Sequence, residues 1–361
     1  MSTTTVSPQR SASPASGSLT AGQLPRWTTW VVGAASLVVG FLATYLLTGE
    51  LGIGLGVALS ALVFLVAMHI ASLTIEGGRR ATDRLAKHIV VGMFLLALLP
   101  LVSVTITTLA DGMNRLDPQF FSYSMRNVVG AGGGAAHAIW GTLIITGIAM
   151  LISVPIGLLT AVYLAEYGQG KPLARSITFF VDVMTGIPSI VAGLFAYALF
   201  GVLFGIGTVN GFAGAVALSV LMIPVVVRST EELLRIVPNE LREASYALGV
   251  PKWKTIMRIV IPTAISGIVA GVILALARII GETAPLMIAA GFTQSMNTNP
   301  ASGAMMTLPV FVYDQYARPG IPREPYWDRA WTGALTLILI VMLLNLIGRL
   351  IAKRFAPKTG R

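Results

Sequence analysis

The stretch from Pro262 to Gly291, PTAISGIVAGVILALARIIGETAPLMIAAG, decides the fold. It is long and apolar enough to cross a bilayer, which takes about 20 helical residues, yet Arg278 and Glu282 stand inside it. A charge at the bilayer centre costs about 2.5–3.5 kcal/mol on insertion scales, so something must offset the pair. Four residues apart, the two share a helix face and can neutralise one another. At about 100° per residue, Gly267, Arg278, Gly271, Glu282 and Ala275 fall within about 80° of arc. The bulky Ile268, Val269, Val272, Ile273, Leu276, Ile279 and Ile280 take the opposite arc, which suits lipid. Small residues at spacing four let helices approach closely, so the pair is expected to face protein or a cavity. Gly281 and Pro285 just beyond it can break the helix and expose backbone groups. Intramembrane ionisable residues mark pathways more often than not; a pair that only fixes helix packing is the alternative.

The whole chain repeats this apolar character. Of its 361 residues 55% are hydrophobic and only 11% charged, with a mean hydropathy of +0.79, against roughly 25% charged in a soluble domain. A soluble globule is excluded. With no cysteine there is no disulfide framework, thiolate metal site or cysteine nucleophile, and His69, His88 and His137 are too scattered for a metal cluster. No cofactor, metal or catalytic residue is called for. Further apolar runs lie at 28–48, 51–75, 89–110, 137–165, 176–205, 213–227 and 331–352, predicting an all-α polytopic membrane protein with eight transmembrane helices. The run at 213–227 is short and must borrow the partly polar residues after Val227 or sit in a thinned bilayer. The first run is too long for a signal peptide and is expected to stay in the mature protein. Pro100, Pro155, Pro188 and Pro224 inside spans favour a bundle around a pathway, where neighbours satisfy the freed backbone groups. Asp182 is read as structural, a carboxylate at the helix N-terminus that starts the fifth span.

The net charge of +10 invites a nucleic-acid reading. Its distribution gives another. With the N-terminus inside, the outer segments hold Arg115, Arg126, Arg318, Arg323 and Arg329, Arg278 lies within a span, and all other Lys and Arg fall in cytoplasmic segments. That bias fits eight spans with both termini cytoplasmic, and nucleic acid needs no place. Residues 1–27, rich in Ser and Thr with Pro8, Pro14 and Pro25, are expected to form a disordered cytoplasmic tail. Residues 28–88 read as an accessory transmembrane hairpin around Gly49–Glu50 with a basic loop, 89–356 as the core, and 357–361 as a second tail. Long loops at 111–136, 228–261 and 292–330 are candidates for binding.

In the cytoplasmic loop, Asn239–Leu248 is predicted to form a short helix, with Asn239 as N-cap and Glu240 and Glu243 near its positive end. Leu241, Ala244, Ala247 and Leu248 form its apolar face. Gly249 ends it in a left-handed turn and Pro251 opens a second short helix. Periodicity alone leaves open an ordinary amphipathic loop on the membrane surface.

The spacing of Glu243-Ala244-Ser245, Gly249 and Ile259-Val260-Ile261-Pro262 resembles the EAA signature of ABC importer permeases, with Ser for the second Ala and Ile for the Leu before Pro262. The resemblance implies that Glu243, Ala244, Gly249 and Pro262 belong to coupling helices that fit a groove in an ATPase subunit. The chain carries no Walker A sequence of its own, so ATP hydrolysis is expected in that partner, and the chain is expected to be a transport subunit, not an enzyme. Ala277-Arg278-Ile279-Ile280-Gly281-Glu282-Thr283-Ala284-Pro285 resembles the phosphate-specific ABC importers, and its Thr-Ala-Pro ending their A-type (PstA) permeases more than the C-type. Gly141-Thr142-Leu143, Pro155-Ile156-Gly157, Tyr163 to Gly168, Asp182 to Gly193, and Thr307-Leu308-Pro309-Val310 with Tyr313 agree with that family. The similarity covers roughly 137–356 and leaves 1–75 outside, since the usual member has six spans. It implies a type I importer core of six helices in the bacterial cytoplasmic membrane. A C-type permease in a heterodimer, two ATPase subunits and an external phosphate-binding protein are the implied partners, beside membrane lipid. Arg278 and Glu282 match positions the family associates with phosphate passage. Phosphate near neutral pH is an anion that still carries O–H donors, whereas sulfate has none; an Arg attracts either, and a carboxylate accepts the donor.

Two other readings stand beside this one. A permease for sulfate, molybdate or another anion would carry the same EAA loop, because that loop reports the motor and not the cargo. A membrane enzyme or channel would require a His/Asp/Glu cluster at one depth or a motor-independent path, and the sequence offers neither.

Overall fold

A computed structural model describes residues 23–355. The tail expected at 1–27 therefore lies outside the described residues as far as residue 22, and the tail at 357–361 lies outside entirely. Every regular element among the described residues is helical. The chain divides into two compact units at Val104/Thr105, inside one long helix.

The first unit contains α1 (Thr28–Thr48), α2 (Ile53–Glu76) and most of α3 (Gly78–Gly112). Helix α1 ends at Gly49, whose left-handed backbone turns the chain toward α2. The hairpin packs through small residues: Ser36, Gly40 and Thr44 are buried against Gly56 and Ser60. A Cβ on Gly40 would lie 2.4 Å from the Ser60 backbone nitrogen. Outside this seam most large apolar side chains are exposed, which suits lipid.

The second unit continues with α4 (Pro118–Ser122), α5 (Ala136–Val162), α6 (Pro172–Thr185), α7 (Ser189–Phe204), α8 (Gly211–Ile236), α9 (Asn239–Ala247) and α10 (Lys252–Thr255). Then come α11 (Ile261–Ile280), α12 (Ala284–Ala289), α13 (Leu308–Ala317) and α14 (Glu324–Phe355). Among the described residues seven helices are long and apolar enough to cross a membrane, and the bent α6–α7 pair is the eighth candidate.

That pair shows how sharply Pro188 breaks the span expected at 176–205. α6 and α7 meet at 109°. Pro188 has no N–H to donate and disfavours helical backbone at Ile187; it takes an extended ψ of 136° and starts α7 instead of continuing α6. Asp182 thus lies near the C-terminal end of α6, not at a helix N-terminus, and it is held by Arg228.

Helix α8 is the hub. It borrows past Val227 as expected, running to Ile236, and the Asn210 side chain caps it by accepting from the Ala213 N–H at 2.8 Å. Gly211, Ala213, Gly214, Ala215, Ala217 and Ser219 are buried along its first half. Small residues let α5, α7, α11 and α12 lie against it closely, the way helices associate where lipid removes the hydrophobic drive. The largest core cluster joins Ile145 and Ala149 of α5, Leu218, Met222 and Val226 of α8, Ala275 and Ile279 of α11, and Phe311 of α13.

The two ends of this unit differ. At one, Arg329 is fully buried; its Nη1 donates to the carbonyls of Gly130 and Gly132 at 2.7 and 3.0 Å and its Nε to Gln315 at 2.8 Å. One side chain thereby ties the 111–136 loop, α13 and the start of α14 together. The opposite end carries α9 and α10.

Gly193 of α7 makes the tightest inter-helix approach that bears on the site, since its Cβ would stand 2.6 Å from the Cα of Pro285. Gly193→Leu should separate α7 from α12 and lower stability by about 1–3 kcal/mol. Gly201→Ala on the same helix, where a Cβ meets nothing within 4 Å, should not. Thermal melting of the purified variants checks this, and equal melting temperatures would contradict the packing described.

Candidate functional site

Helix α9 forms where the loop reading placed it, one residue shorter, but Asn239 is its first helical residue and Pro238 stands at the N-cap. The Asn239 side chain accepts instead from Arg242 Nη1 at 3.3 Å. Gly249 has φ +74°, the left-handed turn expected of it, and a Cβ there would meet nothing within 4 Å. Beyond Pro251, α10 does not stop as a separate short helix. It passes through a π-helical turn, Ile256–Val260, into α11, so Lys252–Ile280 is one continuous span. The Ile261 N–H reaches back to the Ile256 carbonyl, and this looser turn precedes Pro262, whose ring would otherwise crowd the preceding helical carbonyls.

Glu243, Ala244, Gly249 and Pro262 are all exposed. So are Leu241, Tyr246, Leu248, Trp253 and Met257, with Leu248 at 83%. The surface of α9, α10 and the turn after them therefore exposes several large apolar side chains beside the charged Glu240, Glu243 and Lys252. Its underside is fastened: Ser245, where the family pattern has Ala, is buried and its hydroxyl lies 2.8 Å from that of Thr255.

The sequence reading missed the clamp that seats α9. Glu166 stands in a π-helical turn, Tyr163–Tyr167, at the end of α5 and is buried. Arg242 donates to Glu166 Oε1 from Nη2 at 2.7 Å and from Nε at 3.1 Å. Its Nη1 donates to Val237 O at 2.6 Å and Nη2 to Leu234 O at 2.8 Å, closing the C-terminal carbonyls of α8. Lys252 Nζ donates to the Glu166 carbonyl and sits 5.0 Å from the centre of the Tyr167 ring. One side chain thus joins α5, α8 and α9. A carboxylate ending the apolar run 137–165 was the available signal; its partner, 76 residues on, was not legible.

Arg278 and Glu282 are not brought together. Helix α11 ends at Ile280, Gly281 is its C-cap, and Glu282 lies in the connection to α12 with its N–H bonded to Ile279 O at 3.1 Å. The pair forms no ion pair among the described residues, because the helix needed to place them four apart on one face stops between them. The packing staple loses its basis. The arc assigned to lipid is also corrected: Ile268, Ile279 and Ile280 are buried. The small-residue stripe does pack on α8, with Gly267 against Leu233 and Gly271 against Ser229. Arg278 sits at the margin of that stripe, exposed in line with Ala270, Leu274 and Gly281.

The separated motifs meet in space. Thr142 Oγ1 accepts from the Leu308 N–H at 2.7 Å, joining Gly141-Thr142-Leu143 to Thr307-Leu308-Pro309. Gly193 abuts Pro285, joining the Asp182–Gly193 stretch to the one that holds Arg278. Residues 153–361 match the family of binding-protein-dependent transport system inner membrane components. The chain belongs to this family. Among relatives of the permease, the phosphate transport system permease protein PstA 1 of Mycobacterium tuberculosis (strain CDC 1551 / Oshkosh) is 45% identical over 276 residues, which is 76% of this chain and 89% of the relative. PstA of Yersinia pestis is 37% identical over 283 residues, 78% of this chain and 93% of that one. Among solved structures, a chain of the MetNI methionine ABC transporter in inward-facing conformations superposes with a TM-score of 0.50 at 22% identity, covering 62% of this chain and 96% of that one. The permease therefore has the ABC importer permease fold.

Arg242→Ala leaves Glu166 buried without its cation, which costs about 3–5 kcal/mol. The purified variant should melt well below the wild type, whereas Glu243→Gln, on the exposed side of α9, should melt with it. Equal melting of the two variants would contradict the clamp.

Proposed function

We propose that the permease imports inorganic phosphate as the A-type half of an ATP-driven transporter, with both termini and the 228–262 loop in the cytoplasm. The observation that carries this reading is the 45% identity to a phosphate transport system permease over 89% of its length. The basic residues that flank α9 and end α14 support the orientation. In this assignment residues 28–88 are accessory to the 89–356 core.

The apolar face of α9 and α10 is the seat for an ABC ATPase subunit. Its carboxylate, Glu243, and its turn, Gly249, give the patch a polar edge and a fixed angle. The clamp from Arg242 to Glu166 then ties any tilt of α9 to α5 and α8, the core of the membrane unit. A C-type permease would complete the dimer across the open edge of α11, and an external binding protein would deliver phosphate to the end organised by Arg329.

Arg278 on that open edge attracts the anion, and Glu282, just past the end of α11, accepts from the O–H that phosphate retains. The pathway role suits the geometry because neither charge is consumed by the other. Hydrolysis of ATP takes place in the partner.

Arg278 joins no ion pair among the described residues, so the Arg278→Gln complex should assemble in normal yield. Loss of a charge-assisted contact should cut radiolabelled phosphate uptake by roughly tenfold or more. Wild-type uptake in this variant would refute the pathway role, and competition of that uptake by sulfate as strongly as by phosphate would move the cargo to another anion.

Gly249→Val should insert and fold, because the new side chain meets open space and the turn costs only about 1–2 kcal/mol of backbone strain. It should lose phosphate-stimulated ATPase activity in the assembled complex; retention would sink the docking assignment.

A further inference from the structure

Outside the site described, the second unit has a cleft of about 330 Å³ on the same end as α9. Its walls are the loop Gly168–Lys171, Ala174, Arg175 and Thr178 of α6, and Glu231 and Arg235 of α8. The Glu231 carboxylate is already neutralised, by Arg228 at 3.1 Å and Arg235 at 2.6 Å. Asp182, the nearest other acid on α6, is held by Arg228. Lys171 and Arg175 are exposed and join no ion pair among the described residues. The cleft therefore carries net positive charge contributed by two cations that no carboxylate among the described residues answers.

The helix that bears them is amphipathic in a particular way. Lys171, Arg175 and Thr178 share one arc with Asp182; Ala174 and Val181 face the protein. Leu173, Phe179, Phe180 and Val183 are exposed, the two phenylalanines at 62 and 63%. Because α6 leaves α7 at 109°, these apolar side chains stand on a helix set across the direction of its neighbour, beside a basic cleft. A helix with a cationic arc and exposed aromatic residues suits the plane of the membrane interface, where the apolar face reaches acyl chains and the cations reach headgroups.

We propose that α6 lies in the cytoplasmic interface and that the cleft of Lys171, Arg175 and Arg235 seats the headgroup phosphate of an anionic phospholipid. The Thr178 hydroxyl and the first-turn N–H groups of Leu173 and Ala174, which follow Pro172 in α6, supply further donors to the same oxygens. The occupant is lipid because the exposed Phe179 and Phe180 give its acyl chains a surface that a free ion would not use. The inference rests on the orientation proposed above. Its test reads bound lipid and not transport, so failure here leaves phosphate uptake to judge that reading separately.

The purified full chain in neutral detergent is titrated with phosphatidylglycerol, phosphatidylcholine or inorganic phosphate, and retained lipid is counted by native mass spectrometry beside thermal melting. Phosphatidylglycerol should bind saturably and raise the melting temperature, with phosphatidylcholine doing neither. Removing two headgroup cations in Lys171→Gln/Arg175→Gln should weaken phosphatidylglycerol binding about 30-fold, while Lys353→Gln/Arg354→Gln, which removes two exposed cations at the end of α14, should leave it unchanged. Equal weakening in both double variants would reduce the effect to general surface charge and overturn the site. Undiminished binding in Lys171→Gln/Arg175→Gln would overturn it too. Protection by inorganic phosphate that matches phosphatidylglycerol and is lost in that variant would make the occupant a free ion and refute the lipid.

Discussion

In hydrocarbon two helices gain nothing from hiding apolar surface from each other, so they hold together only where their backbones come close. Helix α8 is where this permease meets that condition. Its first half is lined with Gly, Ala and Ser, Gly157 of α5 packs on Val226, and Gly214 packs on Ala290 and Leu286. Lower down, Gly267 and Gly271 of α11 admit Leu233 and Ser229. The position of each functional segment follows from one of these approaches. The connection carrying Glu282 is placed by the α7–α12 contact at Gly193, and α9 by the C-terminal end of α8.

Polar order is confined to the two ends of the helical unit, and there it is dense. Arg329 gathers three segments at one end and Arg242 with Glu166 does so at the other, where Arg228, bonded to Glu231 on its own helix, also ties α8 to Asp182 of α6. Buried ion pairs of this kind add little net stability, because desolvation offsets most of the attraction, but a charge left alone is costly. They therefore fix geometry. Arg242 can satisfy Glu166 and the last carbonyls of α8 only when α9 sits at one angle, the property that the proposed coupling role would use. The two π-helical turns, at the end of α5 and the start of α11, lie at this same end, where they shift the register of the spans that meet α9.

Arg278 is the exception to the confinement of charge. Neither Glu282 nor any other acid of the described chain pairs with it, and it stands on the exposed margin of α11. Arg278 lies two residues from the end of the Lys252–Ile280 span, and water, an anion or another chain can offset the cost of its charge there. In the proposed assembly, that open helix edge is where a second permease half and the transported ion would complete the unit.

Much of this was legible in one dimension. Apolar runs located the membrane helices because the bilayer imposes a length; α1 matches its run residue for residue, and α8 extends past Val227 as its short run required. Glycine and proline marked the turn at Gly249 and the breaks at Gly281 and Pro285, since those residues act through local backbone sterics. Where the reading failed, the cause lay in tertiary geometry. Pro188 permits either a kinked span or a sharp corner, and only the packing of α6 and α7 on α8 selects 109°. A helical wheel pairs Arg278 with Glu282 only if the helix continues, and the chain ended α11 at Ile280 in order to place α12 against Gly193. Glu166 at the end of an apolar run was a local signal, but its partner Arg242 was not legible, because residues 76 positions apart become neighbours through the meeting of three helices, a fact of packing that no periodicity contains.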